Sequence, residues 1–340
     1  MKKAYIYPIS ARMNTGVFNP YLDNFIHHNK EIQFLNAEKP SPVGIFDLVK
    51  YIPQSDLVFL NWFENVPEKK FGIAQAIFFF FLLPYFKLTG KKIIWTLHNK
   101  LSHSKEHFFL KKIIFNGLAR YSDMIITHCS EGEKIIKSLQ PFSEKEILIF
   151  PHPVVPGNFE RNKHEKRKCD ILIWGTLAPY KGVDKFLRFL KNAGVAGKFR
   201  IVIAGKIVDE NYRGILTREF TRNVIHHDRF LDNEELLKLI RSSKIVLFPY
   251  ANESVLSSGA LMDTLAWGGN VIGPDKGAFK DLGKEGLINT FRDYDDLLNL
   301  LLELPEKPDE EGIFNYLRKI TWEEFAGELN NRIKKISNGK

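Results

Sequence analysis

Short apolar runs that alternate with helical segments constrain this fold more than any other feature of the sequence. Each run is rich in Ile, Val, Phe or Tyr and is followed by a polar turn, as is typical of strands buried on both faces of a sheet. In the first half of the chain the runs lie at residues 4–9, 57–61, 93–97, 124–127 and 147–150. The segments between them, such as residues 21–28 and 108–121, have helical spacing. The alternation predicts a parallel sheet with helices on both sides.

A linker interrupts the alternation at residues 151–168, where three prolines, a glycine and a basic run occur together. The apolar runs then resume at residues 171–174, 199–204, 224–226, 244–249 and 270–273. Helical segments fall at residues 184–193, 233–241, 260–267, 294–303 and 322–336. We therefore predict two doubly wound α/β domains, residues 1–155 and 169–320, in agreement with about 150 residues per domain. Because such sheets bind ligands beyond the carboxyl ends of their strands, two domains facing each other would hold a ligand in a cleft.

The composition is that of a soluble globular protein, with 44% hydrophobic and 26% charged residues, and it excludes disordered and collagen-like classes. The two cysteines, Cys129 and Cys169, form no C-x-x-C pair, which favours a reducing compartment and excludes a zinc finger. The opening residues are too soon interrupted by proline to be a signal peptide. We therefore expect a cytoplasmic protein.

Positive charge is concentrated in the first half of the chain. Residues 1–170 hold 24 Lys/Arg and 16 Asp/Glu, a net charge of +8 out of the total of +9. This half also contains the most apolar stretch, residues 73–86, which is shorter than the roughly 20 residues that span a bilayer and is interrupted by Pro84. Two interpretations of the stretch remain open, a buried helix and a helix that faces a membrane surface. The charge suggests an anionic partner, and no nucleic-acid-binding motif or basic helix stripe is present.

Several enzyme classes are excluded because their motifs are absent. The chain has no G-x-x-x-x-G-K-[ST], no G-x-G-x-x-G after the first strand and no G-x-S-x-G, which argues against P-loop, nicotinamide-binding and α/β-hydrolase proteins. One metal motif, H-x-x-E-H, is formed by His103, Glu106 and His107. On a helix its two histidines would share a face and hold zinc, with Glu106 as the base, so a zinc hydrolase is one alternative function.

The segment that follows the first apolar run of the second domain has the residues of a phosphate site. Gly175 ends the strand and permits close approach of a ligand to the backbone. Lys181 and Gly182 then lead into a helix. We expect the Lys181 side chain to project beyond the strand end, where its charge would contact phosphate.

A second anion-binding segment lies in the same predicted domain. A strand ends at Tyr250, and a loop ending in Ser257, Ser258 and Gly259 begins an apolar helix. Serine is a good N-cap, and the free amides of a helix N-terminus attract anions. Asp263 lies in the first turns of this helix, where it can accept hydrogen bonds from ribose hydroxyls.

Together these segments resemble the donor-binding half of GT-B glycosyltransferases of the family 4 type. That family has a glycine-rich strand end followed by Lys-Gly, and later a Pro-Tyr strand end before a helix that leads to a Gly-x-x-Val motif, here ending at Val271. Residues 203–205 and 229–235 resemble its intermediate segments. In the first half, His98 and Asn99 resemble its strand-end histidine region, and residues 10–21 resemble its acceptor-side first loop.

The resemblance implies a GT-B fold and transfer of a sugar, with retention of configuration, from a UDP- or GDP-linked donor, without a cofactor and without a metal. The C-terminal segment, residues 321–340, would cross back to the first domain. The catalytic residues it implies are His98 and Lys181. The donor-binding residues are Gly175, Thr176, Lys181, Gly182, Tyr250, Glu253, Ser257, Ser258, Gly259 and Asp263. The acceptor-side residues are Asn14, Thr15, Gly16, Asn19, Tyr21, Asn99 and His103.

The sequence departs from the family pattern at two places. Thr176 stands where the family often has arginine, and the paired glutamates, eight positions apart, fall on Val255 and Asp263. Glu253 could substitute from a shifted loop. The altered pair leaves a non-catalytic nucleotide-sugar-binding protein as a further alternative.

Bacterial members often extend glycans on lipid carriers, so the expected acceptor is a glycan or a lipid-linked sugar in surface polysaccharide synthesis. The expected location is the inner face of the cytoplasmic membrane, bound peripherally.

Overall fold

The computed structural model describes residues 1–9, 19–39, 41–100, 106–141, 143–155, 168–251, 255–303 and 309–338. The chain divides into two compact units. The first unit comprises Met1–Pro153 and Trp322–Lys340, and the second comprises Val154–Thr321. Each unit contains one six-stranded parallel sheet with helices packed against it, so the predicted class of two doubly wound α/β domains is confirmed.

All strand pairs that the structure describes within the two sheets are parallel. The strands are β1 (Lys2–Tyr7), β2 (Ile32–Phe34), β3 (Leu57–Asn61), β4 (Lys92–Leu97), β5 (Met124–Thr127), β6 (Glu146–Ile149), β7 (Cys169–Trp174), β8 (Ile201–Ala204), β9 (Val224–His227), β10 (Ser243–Leu247), β11 (Val271–Pro274) and β12 (Asn289–Phe291). The order in the first sheet is β2-β1-β3-β4-β5-β6, and in the second it is β12-β11-β10-β7-β8-β9. In the second sheet the strand order therefore reverses at the neighbouring strands β7 and β10: β8 and β9 follow on one side of β7, and β10, β11 and β12 lie on its other side.

The helices that connect these strands cover both faces of each sheet. They are α1 (Pro20–His28), α2 (Leu48–Tyr51), α3 (Gly72–Leu88), α4 (Phe108–Tyr121), α5 (Ser130–Leu139), α6 (Val183–Asn192), α7 (Glu210–Thr217), α8 (Asn233–Ser242), α9 (Gly259–Ala266), α10 (Gly277–Lys284), α11 (Tyr294–Glu303), α12 (Glu310–Leu317) and α13 (Trp322–Ser337). Short 3-10 helices lie at Gly44–Asp47, Phe63–Glu68, Pro179–Lys181 and Ala196–Lys198.

The core of the first unit has α1 and α13 on one face of its sheet. Phe25 of α1 contacts Phe59 of β3 and Phe325 of α13, with ring centroids 5.3 and 5.8 Å apart. Arg332 of α13 also forms an ion pair with Glu146 of β6. The last helix of the chain therefore packs with the first unit, although residues 154–321 separate the two in sequence.

The other face of the same sheet is covered by α3 and α4. Phe79 of α3 packs on Phe63 at 4.6 Å, and Phe115 of α4 packs edge-on against Trp95 of β4 at 5.1 Å. The apolar stretch therefore forms a helix with one buried side, which includes Phe79 and Phe86. No helix among the described residues is long and apolar enough to cross a bilayer.

The second unit has its core between its sheet and the helices α6, α7 and α11. Phe186 and Leu190 of α6 pack with Ile173 of β7 and Leu297 of α11, and all four side chains are buried. On α6, Asp184 accepts a hydrogen bond from the Tyr212 hydroxyl at 2.9 Å, which ties α6 to α7. This packing fixes α6, and with it the loop that joins β7 to α6.

Candidate functional site

The loop after β7 folds back over the end of its own strand. Gly175 has φ +92°, and its N–H donates to the Ala204 carbonyl of β8 at 2.9 Å. A Cβ at this position would lie 2.7 Å from Lys181 Nζ, so a larger residue would displace the ammonium, and the positive φ favours glycine as well. Gly182, at φ +68°, starts α6, and a Cβ there would lie 2.5 Å from the Pro249 carbonyl oxygen beyond β10. Two glycines thus allow this loop to approach both the lysine and the neighbouring strand end.

Lys181 is a buried cation that donates a hydrogen bond to a backbone carbonyl. Its side chain is 5% exposed, and Nζ donates to the Trp174 carbonyl oxygen at 3.1 Å. No carboxylate among the described residues forms an ion pair with it. Burial lowers the pKa of Lys181 to about 8. Because Trp174 is the last residue of β7, Nζ lies at the carboxyl end of this strand, and its contact with phosphate stays a prediction.

A buried charge without a counter-charge is costly, and in proteins such a group usually has a charged partner or a functional role. The Tyr250 ring, whose centroid lies 5.9 Å from Lys181 Nζ, offers only a weak cation–π contact. The described residues therefore place no anion beside Lys181, and a bound phosphate would supply one.

The N-terminus of α9 lies beside the same tyrosine. The Tyr250 hydroxyl is 3.2 Å from Ser258 Oγ, and Ser258 caps α9 by accepting a hydrogen bond from the Leu261 amide at 3.3 Å. Burial raises the pKa of Tyr250, so its hydroxyl stays protonated at neutral pH. Ser257, Ser258 and Gly259 are all partly exposed. The helix dipole favours an anion at this end.

A side-chain hydrogen bond holds α9 against β7. Trp174 Nε1 donates to Thr264 Oγ1 at 2.9 Å, and Trp174 stacks on Trp267.

Asp263, on the same helix, has an exposed side chain, yet desolvation by the surrounding protein raises its pKa to about 6. The Asp263 carboxylate has no hydrogen-bond or ion-pair partner among the described residues, so it can accept a hydrogen bond from a ligand.

The structure brings Lys181, Tyr250 and Ser258 together at one place in the second sheet. Lys181 follows β7, and the other two follow β10, the strand beside it. The connections diverge at this pair, since β8 and β9 lie on one side and β11 and β12 on the other. In open α/β sheets the crevice at such a reversal of strand order is where ligands bind.

Two further donor-side predictions concern Thr176 and Glu253. Thr176 is exposed in the loop after β7. Glu253 lies outside the described residues, as do the acceptor-side residues Asn14, Thr15, Gly16 and His103.

In the first unit, His98 follows β4 and is 5% exposed. Its Nε2 lies 3.2 Å from Asn61 Oδ1, and the Asn61 amide nitrogen donates to the Tyr7 carbonyl, so Nε2 carries the proton and Nδ1 is the acceptor. The ring stacks on Trp62 with a 4.0 Å centroid distance. Burial lowers the pKa of His98, so the imidazole is neutral at pH 7.

Tyr21 joins His98 to α1. Asn19 caps α1 by accepting a hydrogen bond from the Tyr21 amide at 3.1 Å, and the Tyr21 ring meets the His98 ring edge-on at 4.8 Å. Asn99, the next residue after His98, is partly exposed. Four of the predicted first-unit residues, namely Asn19, Tyr21, His98 and Asn99, therefore belong to described segments, and Tyr21 and His98 are in contact.

Two further histidines belong to this cluster and were not predicted. His128, after β5, has Nε2 at 3.0 Å from the Tyr21 hydroxyl and Nδ1 at 2.8 Å from the Phe150 carbonyl. His152, after β6, has its ring 5.4 Å from that of His128. Burial lowers the pKa of His128 to about 3 and that of His152 to about 4. The signal that singled out His98, a histidine just beyond a strand end, also applies to both of them.

The zinc-hydrolase alternative places its motif on a helix, but the two described residues of the motif are not part of one. Helix α4 begins at Phe108, and Glu106 and His107 lie in a turn before it. Among the described residues, which leave out His103, no group of three His, Cys, Asp or Glu side chains could hold a metal ion.

Comparison with known proteins rests on structure rather than sequence. No model of a protein family matches the chain, and no curated protein is similar to it in sequence. Its structure is similar to that of HepE from Anabaena in complex with UDP, with a TM-score of 0.69, 10% identity and coverage of 98% of this chain and 100% of that chain.

Two further solved structures are similar over nearly their full lengths. The lipopolysaccharide outer core galactosyltransferase WaaB is 17% identical, with a TM-score of 0.66 and coverage of 98% of this chain and 99% of that chain. AviGT4, a glycosyltransferase involved in avilamycin A biosynthesis, is 14% identical, with a TM-score of 0.63 and coverage of 100% and 99%. The chain therefore has the fold of the GT-B glycosyltransferases, as the sequence predicted.

Proposed function

We propose that the protein is a glycosyltransferase of the family 4 type. It transfers a hexosyl group from a UDP- or GDP-linked sugar to a glycan or a lipid-linked acceptor in bacterial surface polysaccharide synthesis. The observation that carries the proposal is the buried ammonium of Lys181, which has no carboxylate partner among the described residues and lies where the strand order reverses. A diphosphate would supply the missing counter-charge. The complex of HepE with UDP supports a nucleotide as the ligand of this fold.

The donor reaction breaks the bond between the anomeric carbon and the diphosphate oxygen, and negative charge develops on that oxygen. Lys181 and the free amides at the start of α9 stabilise this charge, each by about 2–4 kcal/mol if they act like donors in other oxyanion sites. Both are fixed before the substrate binds, Lys181 by burial and α9 by the Ser258 cap and the Trp174–Thr264 hydrogen bond. These charges act without a metal in the proposed mechanism.

The other donor-side residues hold the nucleotide. Asp263 accepts hydrogen bonds from ribose hydroxyls, and Gly175 allows the diphosphate to approach the backbone beside Thr176. Tyr250 and Ser258 position the loop that leads into α9 through the contact between their hydroxyls. In this proposal Glu253 and Ser257 complete the donor site.

The first unit takes the acceptor in this proposal. Neutral His98 offers Nδ1 as a hydrogen-bond acceptor to a sugar hydroxyl, because Nε2 is already used on Asn61. Its lowered pKa makes it a weak base, so we assign it to positioning a hydroxyl rather than to proton abstraction in the rate-limiting step. Retention of configuration and a location at the inner face of the cytoplasmic membrane are further parts of the proposal.

A nucleotide-release assay tests the proposal. Purified protein is incubated with UDP- and GDP-linked hexoses, with and without glycan acceptors, and free nucleotide is measured. We expect release with one nucleotide class, and we expect Lys181→Met to abolish it. The matched control is Lys206→Met, which alters an exposed lysine just beyond β8.

The altered glutamate pair supports one second candidate, a protein that binds nucleotide sugars without turning them over. Val255 occupies the first position of the pair and is buried, so it offers no carboxylate to the donor sugar. Saturable binding of a nucleotide sugar, detected by thermal shift, together with no release on any acceptor or in water, would favour this candidate over the transferase.

A further inference from the structure

Helix α3 has a second apolar side whose side chains are exposed. Ile73, Ile77, Phe81 and Tyr85 recur every four residues, and Leu88 continues the row. Their side chains are 39–88% exposed, with Phe81 at 77%. Residues four apart lie one above the other on a helix, so these five form a continuous apolar stripe along the whole of α3. The stripe is about 25 Å long, since a helix rises 1.5 Å per residue.

Helix α4 extends this stripe into a wider face. Phe80 of α3 packs against Gly117 of α4, where a Cβ would lie 2.5 Å from the ring. Both helices cover the same face of the sheet, so their outer sides point in the same general direction. On α4 the outer side presents Phe109, which is 77% exposed, and Ile113, which is 44% exposed. We call the outer sides of α3 and α4 the α3–α4 face.

Basic residues predominate around the α3–α4 face. Neither helix contains an Asp or a Glu, whereas α4 carries Lys112 and Arg120 on its exposed side. Lys69 and Lys70 lie immediately before α3. These four basic side chains form no ion pair within the part of the chain that the structure describes.

The acidic residues near the two helices in sequence include Glu68, Glu106 and Asp123. Glu68 forms an ion pair with Lys111, and Asp123 forms ion pairs with Lys87 and Lys92, whereas Glu106 is exposed in the turn before α4. The basic groups around the apolar stripe therefore outnumber the remaining acidic ones.

We infer that the α3–α4 face binds peripherally to an anionic lipid bilayer, with the apolar side chains inserted among the acyl chains. An amphipathic surface of large apolar side chains flanked by Lys and Arg binds membranes by two additive contributions, apolar insertion and attraction to anionic headgroups. The inference deepens the proposed function and rests on it for the lipid-linked acceptor. Binding to lipid itself requires only the face.

Charge also argues against the other occupants of such a face. In a symmetric dimer the same patch would meet its own copy, which would bring the basic residues of the two copies together without acidic partners. An apolar protein groove would leave the surrounding lysines without counter-charge. A bilayer of phosphatidylglycerol satisfies both the stripe and its basic border.

Vesicle sedimentation tests the inference. The intact protein is mixed with vesicles of phosphatidylglycerol and phosphatidylcholine, or of phosphatidylcholine alone, at low and at high salt. We expect binding to the anionic vesicles that weakens with salt. Phe81→Gln/Phe109→Gln should weaken it by at least about tenfold. Lys112→Gln and Arg120→Gln should weaken it by about fivefold each.

The control variant is Ile225→Gln/Phe230→Gln, which changes two side chains of the second unit that are 58% and 54% exposed. It should bind as the unaltered protein does. An independent readout uses Phe81→Cys labelled with an environment-sensitive fluorophore, because Cys129 and Cys169 are buried. The label should report an apolar environment on anionic vesicles, whereas a label at Ile225→Cys should not.

Three results would overturn the inference. They are no sedimentation of the unaltered protein at low salt, equal sedimentation of the Phe81/Phe109 variant, and a dimer in solution that this variant dissociates. Nucleotide release is measured on every variant in the absence of vesicles. Release without vesicle binding refutes the membrane inference alone, and vesicle binding without release or nucleotide binding refutes the proposed function alone.

Discussion

Replacing Lys181 by methionine should separate stability from ligand binding. Methionine has nearly the length of lysine, so it fills the space between Trp174 and Tyr250 without the charge. An exposed lysine could be shortened without a cavity, but Lys181 is buried, so an alanine variant would combine loss of charge with loss of packing. Lys181→Met therefore tests the charge by itself.

The expected magnitude follows from the pKa of Lys181. Burial lowers it from 10.5 to about 8, and each unit corresponds to about 1.4 kcal/mol, so charge burial destabilises the unliganded fold by about 3 kcal/mol. Between pH 8 and 10.5 the unfolded chain binds more protons than the folded one, so this penalty is complete below pH 8 and disappears as the pH rises to 10.5. Lys181→Met should thus increase the free energy of unfolding at pH 7 by up to about 3 kcal/mol, and the gain should vanish near pH 10.5.

Urea denaturation at pH 7 and pH 10 measures the stability, and calorimetric titration with UDP and GDP measures binding. We expect Lys181→Met to be as stable as the unaltered protein or more so, and to have lost nucleotide affinity. Lys206→Met should change neither quantity. A variant that is destabilised at pH 7 would mean that the ammonium has an internal partner. A variant that binds nucleotide normally would mean that the site lies elsewhere.

Four other results are expected. Activity should persist in excess EDTA, because Lys181 and helix amides carry the charge stabilisation; loss that zinc or manganese restores would contradict this. Nucleotide affinity, measured by titration, should fall by about half between pH 7 and 8 and by up to about tenfold per pH unit above that, as Lys181 deprotonates in the free protein. Between pH 7 and 5 the unaltered protein should lose about 2 kcal/mol more stability in urea than His128→Gln, since the pKa of His128 is about 3 and the unfolded chain binds the proton first; equal losses would refute its burial as a neutral group. Gly175→Ala should weaken nucleotide binding and destabilise by about 1–3 kcal/mol at a positive φ, whereas Gly214→Ala, with open space around its Cβ, should not.

The strands of the sheet interiors were predictable because each is a continuous apolar run, as at Leu57–Asn61, where all five side chains are buried. The edge strands Ile32–Phe34 and Asn289–Phe291 were not predicted. Each has only three residues and includes polar side chains, so no local apolar pattern distinguishes it from a loop. Their positions are set by pairing with β1 and β11 rather than by their own sequence.

The buried-helix interpretation of the apolar stretch is partly correct, since α3 buries one side and exposes another apolar side, whereas the membrane-facing interpretation stays a prediction. No periodicity could show this, because nearly every residue of the helix is apolar. The neighbours that divide its surface, Phe63 and Gly117, come from other elements of the fold.

The site residues after β7 and β10 were chosen correctly as neighbours, since the rule that ligands lie at strand ends needs only the strand assignment. The burial of the Lys181 side chain could not be predicted, because it depends on the left-handed conformation of Gly175. The prediction of the cluster around Tyr21 left out His128 and His152. These two residues come together with His98 only when β4, β5 and β6 are placed side by side.

A crystal structure of the protein with UDP or GDP tests the central claim most directly. We predict that a phosphate oxygen of the nucleotide lies about 3 Å from Lys181 Nζ, at the carboxyl ends of β7 and β10, with the diphosphate facing the N-terminus of α9. A nucleotide bound elsewhere, with Lys181 still held only by the Trp174 carbonyl, would contradict the account.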